Sequence, residues 1–184
     1  MPKLTDRLLA LDTEGVRRIR ALPHARPVDW ALLGLSRATD HSDGWLALSL
    51  AGAAVDRRRR AKWIDAGCRV AFVELESRAL TRTLPRARPQ LEGLCPLAPT
   101  PSPMSFPSSH TAAAVVAASA FRGLLPDALL RAIAALTAFS RLYLGVHFPS
   151  DVIAGVWLGR RVASPGRASE RTLRRAEPIG GGAR

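Results

Sequence analysis

The stretch Ser140-Arg141-Leu142-Tyr143-Leu144-Gly145-Val146-His147-Phe148-Pro149-Ser150-Asp151 joins the end of one apolar helical segment to the start of another. It places an arginine, a histidine and a carboxylate at a helix junction. Pro149 argues against one continuous helix and for a turn, with Asp151 in the first turn of the next helix. Four residues apart, Asp151 comes close enough to His147 to hold an imidazole N–H. An imidazole oriented in this way, with its far nitrogen free, is a competent nucleophile. Upstream, Pro107-Ser108-Ser109-His110 leads into the small, apolar run 109–121. Ser108 therefore reads as an N-cap, and the free amides and dipole behind it favour an anion. His110, at the mouth of that site, suits proton donation to a leaving oxygen. A third cluster, Arg82, Arg86 and Arg88-Pro89, precedes both. Arg88 and Arg141 are suited to gripping phosphate oxygens in pairs, which lysine cannot do. No His/Cys/carboxylate cluster lies near at metal-ligand spacing, so the expected chemistry needs neither metal nor cofactor.

Reading outward, Leu4, Leu8, Leu11 and Leu22 predict an amphipathic helix over about 4–20, ended by Pro23 and Pro27. A short helix is predicted from Asp29 to about Arg37. Gly44–Val55 begins the apolar helices, and Asp56 to Lys62 forms a charged connector. Trp63–Leu84 reads as a helix despite Asp65, Arg69, Glu74, Glu76 and Arg78, with solvent or an arginine partner expected for the two glutamates. Residues 85–107 are rich in proline and read as one long loop. Helices are predicted at about 109–125, 128–145 and 151–163. No convincing strand pattern or internal repeat occurs. The division is a polar helical segment (1–41), a helical core (42–163) and a disordered basic tail (164–184).

The whole chain has 184 residues, 27 Lys+Arg against 15 Asp+Glu, a net charge of +12 and two cysteines. An apolar fraction of 47% excludes disorder throughout, and two distant cysteines exclude a disulfide scaffold. Only Lys3 and Lys62 are lysines, so the excess is carried by arginine. Such a charge points to an anionic partner: nucleic acid, a membrane surface or a phosphorylated substrate.

The three clusters resemble the signature of the type 2 phosphatidic acid phosphatase family, which shares a helical core with vanadium haloperoxidases and some bacterial acid phosphatases. The family pattern is K-x-x-x-x-x-x-R-P, then P-S-G-H, then S-R-x-x-x-x-x-H-x-x-x-D. Ser140, Arg141, His147 and Asp151 match every fixed position of the third part. Ser109 replaces glycine in the second. In the first, Arg88-Pro89 match, but Thr81 stands where the family has lysine, with Arg82 next door as a substitute. The resemblance covers about 81–151 and the flanking helices. It implies an all-α helical bundle, multi-pass in the cell membrane, and a metal-independent lipid-phosphate (polyprenyl or phosphatidyl) phosphomonoesterase. By that resemblance His147 forms a phosphohistidine, Asp151 orients it, and His110 protonates the leaving alcohol. Arg88, Ser108, Ser109 and Arg141, with Arg82, hold the phosphate. The small size is similar to that of short actinobacterial members acting on polyprenyl-linked phosphates.

The arginines at 57–60, 122, 131, 160 and 161 lie at helix ends opposite the motifs. The positive-inside rule then puts the site on the outer face. Yet no uninterrupted apolar run reaches the roughly 20 residues of a spanning helix. The expected partners are a lipid or polyprenyl phosphate and the membrane. Nucleic acid is disfavoured, because the arginines sit at helix ends and stacking aromatics are scarce. A haloperoxidase-like or soluble acid phosphatase on the same core, and a non-enzymatic scaffold, are the alternatives; the oligomeric state stays open.

Overall fold

The computed structural model describes residues 4–100 and 102–164; the basic tail proposed from the sequence lies outside them, apart from Ser164. Seven α-helices follow one another: α1 (Leu4–Arg20), α2 (Arg26–Ala38), α3 (Asp43–Val55), α4 (Arg60–Thr83), α5 (Ser109–Ala120), α6 (Asp127–Tyr143) and α7 (Pro149–Ala163). Single 3-10 turns over Asp40–Ser42 and Arg57–Arg59 precede α3 and α4. No strand occurs among the described residues, which form an all-α bundle. Pro27 departs from the sequence reading. It lies in the first turn of α2 instead of closing α1, because its missing N–H is harmless there. Pro149 opens α7 in the same way, which places Asp151 in that helix's first turn.

Helix α5 is the axis of the core. Its Ala112, Ala113, Ala114, Val116 and Ala117 are all buried, and a helix apolar on every side is stable only when surrounded. It is enclosed by α4, α6 and α7. At its far end Phe121 stacks on Trp45 at 5.9 Å and tilts against Trp63 at 5.7 Å. These two tryptophans are core residues, whereas Trp30 and Trp157 are 73% and 65% exposed.

Small residues set the distance between α5 and α7. Gly155 and Gly159, four apart on α7, face the α5 backbone. A Cβ on Gly155 would sit 2.6 Å from the Ser108 carbonyl oxygen, and one on Gly159 would sit 2.7 Å from that of Ala112. Gly67 likewise presses on Ser49, and Gly52 on the Trp63 ring, bringing α3 onto α4. These close approaches bring the starts of α5 and α7 to one end of the bundle, beside the ends of α4 and α6.

Arg57–Arg59 and Arg122 lie together at the opposite end, where Arg59 donates to the Gly123 carbonyl at 3.0 Å. Among the described residues no helix is both long and apolar enough to cross a membrane. Helix α4 has the length, 24 residues, but carries five charged side chains between Asp65 and Arg78. Glu74 and Glu76 find arginine partners, Arg78 at 3.0 Å and Arg161 at 2.6 Å.

The α5–α7 contact gives a direct test. Gly155→Ala is expected to lose about 1–3 kcal/mol of stability by forcing the two backbones apart. Gly34→Ala, where nothing lies within 4 Å of the new methyl, is expected to be neutral or to gain up to about 1 kcal/mol from helix propensity. Thermal unfolding of the two variants in detergent checks this; equal midpoints would rule out the close-approach account.

Candidate active site

The loop between α4 and α5 is proline-rich but held in place. Arg88 N–H donates to the Pro103 carbonyl at 3.1 Å and Ser105 N–H to that of Arg86 at 2.7 Å, pinching its two arms together. This pinch delivers Arg86, Arg88 and Ser105 to the starts of α5 and α7.

His147 lies in the connection between α6 and α7 and is only 4% exposed. Its Nδ1 is 2.7 Å from the Ser105 carbonyl oxygen. A carbonyl can only accept, so Nδ1 carries the proton and donates it. Nε2 is therefore the lone-pair nitrogen, and Arg88 Nη1 donates toward it at 3.2 Å. Asp151 Oδ2 stands 3.8 Å from Nδ1, beyond hydrogen-bond length. The carboxylate thus acts on the imidazole by charge, while Ser105 makes the short contact.

Asp151 is completely buried. Its Oδ2 accepts the Phe148 N–H at 2.9 Å, and its Oδ1 accepts from Arg86 Nη1 at 2.8 Å. Its backbone carbonyl accepts the Ser108 N–H at 3.1 Å. Arg86 also donates to Asp12 Oδ2 on α1 at 2.6 Å and lies 4.1 Å above the Phe148 ring. Asp12 Oδ1 in turn accepts the Ser150 N–H at 2.9 Å. One guanidinium thereby pairs with two buried carboxylates, a pairing that a buried charge needs to be tolerated.

Burial pulls the His147 imidazole down to about 4; the Arg88 and Arg141 charges add to this, and Asp151 opposes it. Burial likewise lowers Arg88, and Asp151 opposes the shift. Arg88 remains a cation at neutral pH, whereas His147 is a neutral base.

A cavity of about 570 Å³ opens over these groups. His147, Arg88, Ser109, His110, Arg78, Thr81 and Arg82 line it, together with Asp40 and Glu74. Arg82 and the Thr81 that occupies the family's lysine position are thus both at the cavity. The Thr81 hydroxyl donates to the Ser77 and Phe106 carbonyls at 2.9 and 3.0 Å. Ser108 stands behind the wall as the cap of α5, its Oγ accepting the Thr111 N–H at 3.5 Å. Ser109 and His110 begin the helix, where the first amides have no intrahelical partner. Arg141 is also behind the wall, 3% exposed, with Nε on Ser140 Oγ at 3.2 Å. Its Nη2 is buried without a hydrogen-bond partner among the described residues. His110 Nε2 meets Asp40 Oδ1 at 2.8 Å.

The sequence reading missed Asp12, Asp40 and Ser105. Asp12 carried a signal: it lies on the same face of α1 as Val16 and Arg20, all three buried. Asp40 and Ser105 carried none, since one sits in a short turn and the other contributes only its backbone oxygen.

This arrangement, a helical bundle with histidines and arginines gathered at one end, belongs to a family of phosphatases. Residues 63–169 match the PAP2 superfamily, and the chain belongs to it. Over 135 residues it is 39% identical to decaprenylphosphoryl-5-phosphoribose phosphatase of Mycobacterium tuberculosis, covering 71% of this chain and 74% of that relative. The protein of the same name from Mycolicibacterium smegmatis is 38% identical over 124 residues, 66% of this chain and 67% of the relative. In fold, the chain is similar to the transmembrane PAP2 type phosphatidylglycerolphosphate phosphatase from Bacillus subtilis. The TM-score is 0.75 at 21% identity, covering 96% of this chain and 90% of that one. It is also similar to Aquifex aeolicus LpxE, with a TM-score of 0.68 at 26% identity over 83% and 92% of the two chains. The chain is thus a phosphatase of the PAP2 superfamily.

The neutral state of His147 has a measurable consequence. An unfolded histidine titrates near 6.5, whereas the folded one titrates at about 4. As pH falls between these values the unfolded chain takes up a proton that the folded chain refuses, so stability is lost across that window. Below it the loss levels off. Unfolding midpoints recorded against pH are expected to show this slope in the wild type and a shallower one in His147→Gln; identical slopes would contradict the assignment.

Proposed function

We propose that the protein is a metal-independent phosphomonoesterase of a polyprenyl-linked phosphate, acting through a phosphohistidine on His147. The observation that carries this reading is the Nε2 lone pair of a neutral, buried imidazole at an arginine-lined cavity. Nε2 attacks phosphorus and the bond from phosphorus to the leaving oxygen breaks. His110 gives that oxygen its proton. Water then attacks the phosphohistidine, His110 recovers a proton, and inorganic phosphate is released. Nδ1 keeps its proton on the Ser105 carbonyl throughout, and Asp151 supplies negative charge as the imidazole becomes cationic.

Arg88, Arg141, Arg82 and Ser109 hold the phosphoryl group, and Ser108 caps the helix whose dipole faces it. The unpartnered Nη2 of Arg141 is the kind of buried donor that an oxyanion satisfies. The polyprenyl substrate class rests on the names of the mycobacterial relatives.

Two features support a cell-membrane location with the site on the outer face. Leu50, Val55, Phe72, Leu75, Leu136, Ile153 and Trp157 are exposed on the outward faces of α3, α4, α6 and α7. The arginines collect at the end away from the cavity, the cytoplasmic end under the positive-inside rule. The short helices carry these arginines at their ends, where long basic side chains reach the headgroups.

Phosphate release from polyprenyl and phosphatidyl monophosphates in EDTA tests the chemistry. Wild type is expected to stay active and to prefer the polyprenyl substrate, and His147→Ala to lose at least about 1,000-fold. Activity abolished by EDTA, or retained by His147→Ala, would sink the mechanism. The orientation is tested with Arg58→Cys in a background carrying Cys68→Ser and Cys95→Ser. In intact cells an impermeant thiol reagent is expected to leave that position unlabelled; labelling would reverse the topology.

A further inference from the structure

The site contains a carboxylate that the reaction scheme above does not use. Asp40 comes from the 3-10 turn before α3, 41 residues upstream of Thr81, where the first phosphatase motif begins, yet it lines the same cavity as His147. Its Oδ1 lies 2.8 Å from His110 Nε2. The turn is anchored from two sides. Thr39 Oγ1 donates to the Leu35 carbonyl at 2.8 Å. Ser42, buried and in the left-handed region at φ 66°, donates through its hydroxyl to Glu74 Oε2 at 3.1 Å. A serine held in that conformation needs surrounding contacts to maintain it, so the turn is a fixed mount on α4.

Resting on the reading of His110 as the general acid, we infer that Asp40 is its positioning residue. Asp40 fixes the tautomer and favours the protonated imidazole from which the leaving oxygen takes its proton. An ionised carboxylate only accepts, so the Nε2 proton stays on the Asp40 side. Nδ1 is then the nitrogen that cycles. In the first step its N–H bond breaks as the O–H bond of the alcohol forms, leaving His110 neutral with Nε2–H still on Asp40. In the second step Nδ1 takes a proton from the attacking water.

The other charged groups around His110 make this partner consequential. Burial pulls the His110 imidazole below its ordinary value; Asp40 opposes this, Arg141 on α6 adds to it, and Glu74 on α4 opposes it. Arg78, Arg82 and Arg88 share the cavity, as does neutral His147. Asp151, at the start of α7, is engaged with Phe148 and Arg86. Asp40 is the acidic group in direct contact with the imidazole among the described residues, against several arginines that repel a second positive charge.

The experiment compares leaving groups. A long-chain alkyl monophosphate needs a proton on its departing alkoxide, whereas p-nitrophenyl phosphate does not. Asp40→Asn is expected to lower kcat/KM on the alkyl phosphate about 10- to 100-fold, and on p-nitrophenyl phosphate less than about threefold. The basic limb of its pH profile on the alkyl substrate is expected to move to lower pH, because a neutral amide no longer favours the imidazolium. Asp40→Glu, which keeps the charge, is expected to keep that limb near wild type. Equal losses on both substrates, or an unmoved limb, would overturn the inference. Should Asp40→Asn fold poorly, the Asp40→Glu profile decides: a basic limb displaced to lower pH by about one unit or more would count against the role. Retention of activity by His147→Ala on both substrates is the separate outcome that defeats the underlying phosphohistidine reading.

Discussion

Asp151 is the buried charge on which the site is assembled. One oxygen closes the first turn of α7 on the Phe148 amide, the other meets Arg86, and its carbonyl holds Ser108 at the start of α5. A carboxylate with no exposure is costly unless neutralised and hydrogen-bonded. The need to satisfy it draws in Arg86 from the proline-rich loop and, through Arg86, Asp12 from α1. The N-terminal helix is thereby tied to the catalytic end. The glycines at 155 and 159 make the bond to Ser108 geometrically available, since a side chain there would hold α7 off α5.

The positive charge of the chain divides between two ends of the bundle. At one end, burial, with Arg88 and Arg141 adding to it, depresses the protonation of His147 and leaves it a neutral base. Those cations would be a poor environment for a second protonated histidine, and the acidic side chains Asp40 and Glu74 are found beside His110. Burial disfavours protonation of both histidines, but their partners differ: arginine faces the lone pair of one, and a carboxylate contacts the ring nitrogen of the other. That asymmetry is what divides base or nucleophile from acid in a shared site. At the other end, Arg59, Arg122, Arg131 and Arg161 make exposed contacts with Asp56, Asp127 and Glu76, away from the cavity.

Much of the fold was legible because its signals are local. The apolar run 109–121 and the proline that opens α7 each mark an element without help from tertiary structure. The third motif was legible because one helix junction supplies Arg141, His147 and Asp151 within a dozen residues. What escaped reading depends on contacts across the chain. Ser105 acts through a carbonyl that any residue provides, so its side chain advertises nothing. The spacing of His147 and Asp151 suggested a direct imidazole–carboxylate bond. In the folded chain the Phe148 amide and Arg86 occupy both carboxylate oxygens, and the Ser105 carbonyl takes the imidazole proton. Asp40 follows the end of α2 in a turn with no pattern of its own, and only the docking of that turn on Glu74 brings it to His110.

Thr81 shows how a departure from the family pattern is absorbed. The family's lysine would place a cation on this turn of α4. Threonine instead bonds its hydroxyl to Ser77 and Phe106, which fastens the end of α4 to the loop entering α5. The cation is available from neighbouring positions: Arg78 lies one turn earlier on the same helix, and Arg82 is adjacent, both at the cavity wall. Arg78 is already paired with Glu74, so drawing it to a phosphate would uncouple the glutamate that anchors the Asp40 turn. Arg82 carries no such obligation to that turn. Under the proposed reading of the site, it would add positive charge at the phosphate without disturbing the turn that carries Asp40, and on that ground it would replace the missing lysine better than Arg78.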